Sequence, residues 1–409
     1  MLKEVILEQA AQSILSQRVQ AIKESPTLAV TARAAKLKSE GKDIIGLGAG
    51  EPDFDTPQHI KDAAKKAIDS GFTKYTPVAG IPGLKKAIVA KFKNENGFDY
   101  TDKEVIVGVG GKQCIFNLAL AVLNHGDEVI VPAPYWVSYA DIAMVAGAKP
   151  VIIACGIEQG FKLQPAQLEA AITPKTKLFM INSPSNPTGA VYTLEELKAL
   201  GEVLKRHPQV LVATDDMYEH VNLTGEKFYN ILNATPELKP RCIVLNGVSK
   251  AYSMTGWRIG YAAGPAYIIK AMEILQSQST SNPTSISQVA AQAALEGPQE
   301  CIEPMVSAFI ERHTYVVNRF NKMRGLKCLH AGGAFYAFPD ARVAINNLKQ
   351  EGKITEANDM ALSEYLLEQV GVAVVPGSAF GAEGYFRISF ATSMDNLRDA
   401  LDRIEKALS

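Results

Sequence analysis

Three residues with complementary chemistry stand just beyond apolar runs of this chain: Asp215 in DDMYEH (215–220), and Lys250 and Arg258 in SKAYSMTGWRIGY (249–261). An ammonium buried at the end of such a run is costly unless it is paired or gives up its proton, and losing the proton makes lysine a nucleophile. Arg258 offers a fixed partner for a dianion, and Asp215 a carboxylate at a neighbouring position. Upstream, Gly110 and Gly111 precede Lys112 at a helix start, where uncovered N–H groups hold an anion such as phosphate. Taken alone, two glycines equally suit a tight strand-to-helix turn. The named phosphate motifs fail here. GVGGKQ (108–113) ends in Gln113 where a dinucleotide fingerprint needs glycine or alanine, and a P-loop would need glycine at Ile106 and a hydroxyl at Gln113.

These residues need elements to gather them. The runs EVIVGV (104–109), EVIVP (128–132), PVIIA (150–154), KLFMIN (177–182), QVLVAT (209–214) and RCIVLN (241–246) alternate with helical patterns. That order predicts a mostly parallel sheet covered by helices on both faces, and the nearly unbroken apolar runs predict strands buried on both sides. Ile115, Leu118, Ala119 and Val122 recur at helical spacing and predict a core-facing helix between the first two strands. Ligands of such sheets bind beyond the carboxyl ends of the strands. Asp215, Lys250, Arg258 and the Gly110–Gly111 turn would therefore meet at one edge. A carboxylate, an amine and a phosphate-binding arginine are what pyridoxal 5′-phosphate requires: a partner for its ring nitrogen, a Schiff-base nucleophile and an anchor.

The stretch 284–324, broken by Pro298 and Pro304, reads as helical and would carry the chain out of the sheet. After it, LKCLHAGGAFYAF, GVAVVP, YFRISFA and a last helix with Leu397, Ala400, Leu401, Ile404 and Leu408 on one face predict a smaller α+β unit. The expected division is an N-terminal arm (1–27), a small domain (28–60 with 325–409) and a large cofactor-binding domain (61–324).

Composition excludes other classes. The 409 residues carry Lys+Arg 42 and Asp+Glu 43, a net charge of -1, so neither a nucleic-acid surface nor an acidic tail is expected. Hydrophobic residues at 47% are ordinary for a globular chain and exclude disorder. The five cysteines are widely spaced without a CxxC pair, which predicts reduced thiols in the cytoplasm rather than a disulfide frame or a metal cluster. Charges interrupt the first twenty residues, so no export signal is read, and no apolar run is long enough to span a membrane.

AGEPDFDTP (49–57), KYTPVAGIPGLKKAI (74–88), VGGKQ (109–113), PYWVSY (134–139), NSPSNPTGAVY (182–192), DDMYEH, SKAYSMTGWRIGY, GAFYAF (333–338) and FRISFA (386–391) together resemble the class I, fold type I aminotransferases. The likeness is greatest to bacterial aspartate aminotransferases of the aspartate/prephenate subgroup, and it runs from about residue 20 to the C-terminus. The resemblance implies that Lys250 forms the Schiff base and then serves as the base that moves the substrate proton. It implies that Asp215 keeps the pyridine nitrogen protonated, and that Asn186 and Tyr218 bond the cofactor's phenolic oxygen. Trp136 would stack on the ring, while Arg258 with the amides near Gly110 and Gly111 would hold the phosphate. Arg387 would grip the substrate α-carboxylate as a two-pronged fork, a role lysine cannot copy, and Gly50 would lie against the substrate. Tyr75 would reach the phosphate of a neighbouring subunit, which implies a homodimer with shared sites.

The same resemblance points to the substrate. Lys112, helped by a hydroxyl near Thr27, would meet the distal carboxylate of aspartate or glutamate, and a cation at a helix start is otherwise poorly placed against the helix dipole. The expected reaction is reversible amino transfer between L-aspartate and 2-oxoglutarate. Transamination of prephenate, another class I specificity, or a carbon–sulfur lyase are the alternatives. A regulator built on such a domain would need an added DNA-binding module, for which about twenty residues before the first motif leave no room. One departure stands out: many relatives carry serine three residues before the Schiff-base lysine, and this chain has Gly247.

Overall fold

The computed structural model describes residues 14–22 and 26–409, the side chains of 26–28 excepted. A two-residue strand β1 (Ile45–Gly46) follows the first long helix, Pro26–Ser39. The main sheet is built from β2 (Val105–Gly108), β3 (Glu128–Ala133), β4 (Lys149–Ala154), β5 (Thr176–Asn182), β6 (Leu211–Asp215), β7 (Cys242–Gly247) and β8 (Gly260–Ala263), in the order β2-β8-β7-β6-β5-β3-β4. Only β8 runs against its neighbours. The six apolar runs all form strands, and β8 joins them from a segment, GYAA, whose glycine and alanines carry little strand preference.

Alternation along each strand explains the layers. Val105 and Val107 join a core on one face with Leu84, Leu200 and Ala290, whereas Ile106 faces Cys114, Ile115, Leu118 and Met272 on the other. Side chains of period two therefore meet helices on both sides, giving an α/β/α sandwich. The helix Gly111–Val122 buries Ile115, Leu118 and Ala119 as its spacing requires. β4 is the exception to two-sided burial: at one edge of the sheet, it leaves Lys149, Ile152 and Ala154 exposed.

The stretch 284–324 resolves into two helices, Ser285–Glu296 and Glu303–Phe320. Pro304 opens the second rather than interrupting it, since a first-turn N–H has no partner to lose. Beyond them lie β9 (Tyr336–Ala337), β10 (Val372–Ala373), β11 (Val375–Pro376), β12 (Phe386–Ser389) and the helix Met394–Leu408, which buries Leu397, Ala400, Leu401, Ile404 and Leu408. β1 pairs in parallel with β10, and the Ser389 N–H donates to the Leu47 carbonyl at 2.7 Å. The chain just before residue 48 is thus fastened to the C-terminal strands. Among the described residues no helix is long and apolar enough to cross a membrane.

Candidate active site

The carboxyl ends of β2, β5, β6 and β7 open onto a cavity of about 420 Å³, of the size that holds a cofactor with a small substrate. Lys250, Asp215, Tyr218, Gly111, Trp136, Asn186, Arg258, Gly50, Lys112 and Arg387 all line it. Gly110 stands beside them. Tyr75 does not: its side chain is 93% exposed and lies outside the cavity of its own chain. The Thr27 side chain falls outside the described residues, and Thr31, four positions on, lines the wall instead.

Asp215 is the last residue of β6 and is buried. Its Oδ2 accepts a hydrogen bond from the Tyr139 hydroxyl at 2.5 Å, and its Oδ1 accepts the Met217 N–H at 3.3 Å. Burial raises its carboxyl above the usual carboxylate range, and the Tyr139 bond is the largest influence opposing that rise. Asn182, at the end of β5, fixes two pieces of the site with one amide: its Nδ2 donates to the Asp215 carbonyl at 2.7 Å and its Oδ1 accepts the Asn186 N–H at 2.8 Å. The turn after Asp215 is anchored by Glu219, which takes hydrogen bonds from the buried Lys91 ammonium and from Asn96 and Asn246. Against the upward push of burial, Lys91 and His220 draw the Glu219 carboxyl down to about 2. Glu95, Glu219 and His220 gather closely enough to suggest a metal cluster, but the Lys91 ammonium already satisfies Glu219.

Lys250 sits three residues beyond the end of β7, in a turn rather than in the strand. Its Nζ donates to the Gly50 carbonyl at 2.5 Å and lies 5.9 Å from the Tyr218 ring centroid. Burial, with help from Arg258 and Arg387 and against the pull of Glu51 and Asp215, lowers its pKa to about 8. About a tenth of the amine is then neutral at pH 7, which a nucleophile requires. The Tyr218 and Tyr336 hydroxyls are 2.9 Å apart, and burial keeps the Tyr218 phenol protonated far above its ordinary range.

The phosphate end is built around Gly110. It has φ 78°, and a Cβ there would lie 2.2 Å from Arg258 Nη2, so only glycine lets the guanidinium approach the helix start. Arg258 is itself in the left-handed region, φ 56°, and is held by the Thr255 carbonyl at 2.8 Å. The Gly247 departure has a steric reason: a Cβ would meet Gly260 Cα at 3.0 Å and the Met217 Cε at 3.2 Å. Ser249, two residues on, does line the cavity.

Arg387 is 2% exposed, and its fork reaches the Gly48 carbonyl at 2.7 Å and Asn186 Oδ1 at 2.9 Å. Its Nε has no partner, and among the described residues no carboxylate pairs with it. The guanidinium is stacked 4.4 Å from the Tyr336 ring centroid and 5.0 Å from that of Phe380. Lys112 holds its ammonium 5.0 Å from the Trp136 ring centroid, and burial followed by repulsion from Arg258 lowers its pKa. The cavity therefore gathers Lys112, Lys250, Arg258 and Arg387 against the two carboxylates of Glu51 and Asp215. An excess of positive charge around the cavity, with a buried guanidinium nitrogen left unpartnered, calls for anionic ligands.

Sequence reasoning quoted the motifs that contain Tyr139 and Tyr336 without giving either a role, and it did not single out Glu51 or Asn182. Glu51 lines the cavity and accepts a hydrogen bond from Thr255 Oγ1 at 2.8 Å. The donor set fits pyridoxal phosphate: a cationic cup at a helix start, a buried carboxylate, a phenol and an amine of lowered basicity share one cavity.

Known proteins agree with this arrangement. A family model described as "Aminotransferase class I and II" matches residues 42–404. The chain is 63% identical over 395 residues to an "Aspartate/prephenate aminotransferase" of Nitrosomonas europaea, covering 97% of this chain and 100% of that one. It is 56% identical to one of the same name from Cereibacter sphaeroides, covering 96% and 98%. Among solved structures, the aspartate aminotransferase of Rhizobium meliloti superposes with TM-score 0.92 at 50% identity, covering 96% and 98%. That of Thermus thermophilus, solved with maleate, gives 0.89 at 44%, covering 96% and 99%. The chain belongs to the class I and II aminotransferases and has their fold type I architecture.

Proposed function

We propose that this aminotransferase moves an amino group reversibly between L-aspartate and 2-oxoglutarate, with prephenate as a further oxo-acid acceptor. The observation that carries the reading is Arg387, a buried guanidinium with an unsatisfied Nε and, among the described residues, no carboxylate partner, in one cavity with Lys112. Two separate cations suit a substrate with two carboxylates, which aspartate, glutamate and prephenate share. Relatives named for aspartate and prephenate, and a neighbour solved with the dicarboxylate maleate, support it.

Pyridoxal phosphate, when bound, supplies an aldehyde carbon for the amino group and a ring that draws electrons from the substrate Cα. In our reading Arg258 and the N–H groups beside Gly110 and Gly111 would hold its phosphate, Trp136 would cover its ring, and Asn186 and Tyr218 would bond its phenolic oxygen. Asp215 would keep the ring nitrogen protonated. Lys250, partly neutral at physiological pH, would offer Nζ as the amine nucleophile and as the base that holds the proton moved to and from the substrate Cα. Arg387 orients the α-carboxylate through its fork, Lys112 meets the distal one, and Gly50 packs against the substrate. The first oxo-acid would leave before the second binds, with the amino group kept by the loaded enzyme between them, so ping-pong kinetics are expected.

Tyr75, so far exposed, supports a homodimer in which each chain completes the other's phosphate site. We also propose the division into an arm (1–27), a small domain (28–60 and 325–409) and a large domain (61–324), supported by the pairing of β1 with β10.

A steady-state panel tests the assignment: kcat/KM for aspartate, alanine and phenylalanine with 2-oxoglutarate, then for oxaloacetate and prephenate with glutamate. The dicarboxylic donor is expected to lead. In Lys112→Gln the aspartate value should fall about tenfold or more while that for alanine hardly moves. Alanine or phenylalanine equalling aspartate in the unaltered enzyme would sink the reading.

A further inference from the structure

We infer that Tyr139 is a positioning residue for Asp215, holding its carboxylate as an anion for the ring nitrogen of the cofactor. The inference rests on the pyridoxal phosphate reading above and extends it to a residue that reading leaves without a task. Tyr139 and Asp215 are 76 positions apart in the chain and meet through one hydrogen bond of 2.5 Å. Both side chains are buried, so water does not compete for the bond. Burial also pushes the Tyr139 phenol well above its ordinary range, so its proton stays in place and the bond runs one way, hydroxyl to carboxylate.

The alternatives for Asp215 are weak. The other donor to its carboxylate, the Met217 N–H, is at 3.3 Å, and Lys250 acts on it by charge without a hydrogen bond. Without Tyr139, Oδ2 would be a buried carboxylate oxygen lacking a partner, and burial would favour a proton on the acid itself. A protonated Asp215 cannot stabilise a protonated pyridine nitrogen. The tyrosine is held in place from its own side as well. It lies in the first turn of the helix Ser138–Val145, and its ring meets Trp136 edge-on at 5.3 Å and 82°. One residue thus braces both the indole that covers the cofactor ring and the carboxylate that serves its nitrogen.

Equilibrium dialysis of the cofactor-stripped full chain tests this with two ligands: pyridoxal phosphate and its analogue with carbon in place of the ring nitrogen. Tyr139→Phe keeps the ring packing and removes only the hydroxyl. It is expected to weaken pyridoxal phosphate about tenfold or more and the carbon analogue less than about threefold. In an Asp215→Asn background the same change should alter pyridoxal phosphate affinity less than about threefold, because the carboxylate it serves is gone. Tyr139→His, which retains a donor, should bind more tightly than Tyr139→Phe and guards against poor folding of the phenylalanine variant. Equal weakening of both ligands, or none, overturns the inference, as does a histidine variant no better than phenylalanine. An unaltered protein that fails to bind pyridoxal phosphate overturns instead the cofactor reading itself.

Discussion

Removing the Lys250 charge from the site should make the protein more stable while ending its activity. Lys250 is largely shielded from water beside Arg258 and Arg387, and its pKa falls from 10.5 to about 8 on folding. Through linkage that difference corresponds to about 3 kcal/mol of destabilisation wherever the lysine is charged in both states. Below pH 8 both states hold the proton, so the folded protein carries the whole cost at pH 7. Between pH 8 and 10.5 the folded state has released the proton while the unfolded chain still binds it. Stability from this group therefore rises with pH across that window, and the cost at pH 10 shrinks to about 1 kcal/mol.

Lys250→Met removes the charge and fills the space with an unbranched chain of similar length. It also strips the Gly50 carbonyl of its 2.5 Å partner, worth about 1 kcal/mol. The net gain expected at pH 7 is about 2 kcal/mol, which for a chain of this length raises the unfolding midpoint by about 2–3 °C. At pH 10 the two effects cancel and the midpoints should coincide. Thermal unfolding of the variant and of the cofactor-stripped unaltered protein, at both pH values, provides the measurement, with amino transfer assayed in parallel. A variant no more stable at pH 7 would refute the reasoning. A gain undiminished at pH 10 would refute it too, because packing rather than charge would then be the cause.

Other perturbations separate the two ends of the cavity. Arg387→Lys keeps the charge but loses one tine of the fork, so KM for aspartate should rise by about 10- to 150-fold with a smaller change in kcat; a change below threefold would show that the fork does not grip the substrate. Gly110→Ala places a Cβ 2.2 Å from Arg258 Nη2 at a φ of 78°. It should weaken pyridoxal phosphate about tenfold and cost about 1–3 kcal/mol of stability, read by dialysis and thermal unfolding, and unaltered affinity would mean that Arg258 does not hold the phosphate.

The reach of the sequence has a physical boundary. Strands buried on both faces are nearly continuous in valine, isoleucine and leucine, so β2 to β7 are legible, and residues just after them fall at one edge by geometry alone. Asp215, Lys250 and the turn at Gly110 could be placed on that ground. β8 could not, because GYAA gains its strand conformation from pairing between β2 and β7 and not from its own residues. Tyr139, Tyr336 and Asn182 were hidden for a different reason. Their tasks exist only through contacts with Asp215, Tyr218 and Asn186 across the fold, and a tyrosine on a core-facing helix looks the same in sequence whether it packs or tunes a carboxylate. Charge shows the same limit. A total of -1 hides a cavity where four cations outnumber two carboxylates, and at Arg387 burial makes that excess consequential. Arg387 and Lys250 are unremarkable as residues in a list. Shielded from water, one becomes a guanidinium with no carboxylate partner among the described residues and the other an amine ready to lose its proton, and those two needs together would suit the site to amino acids.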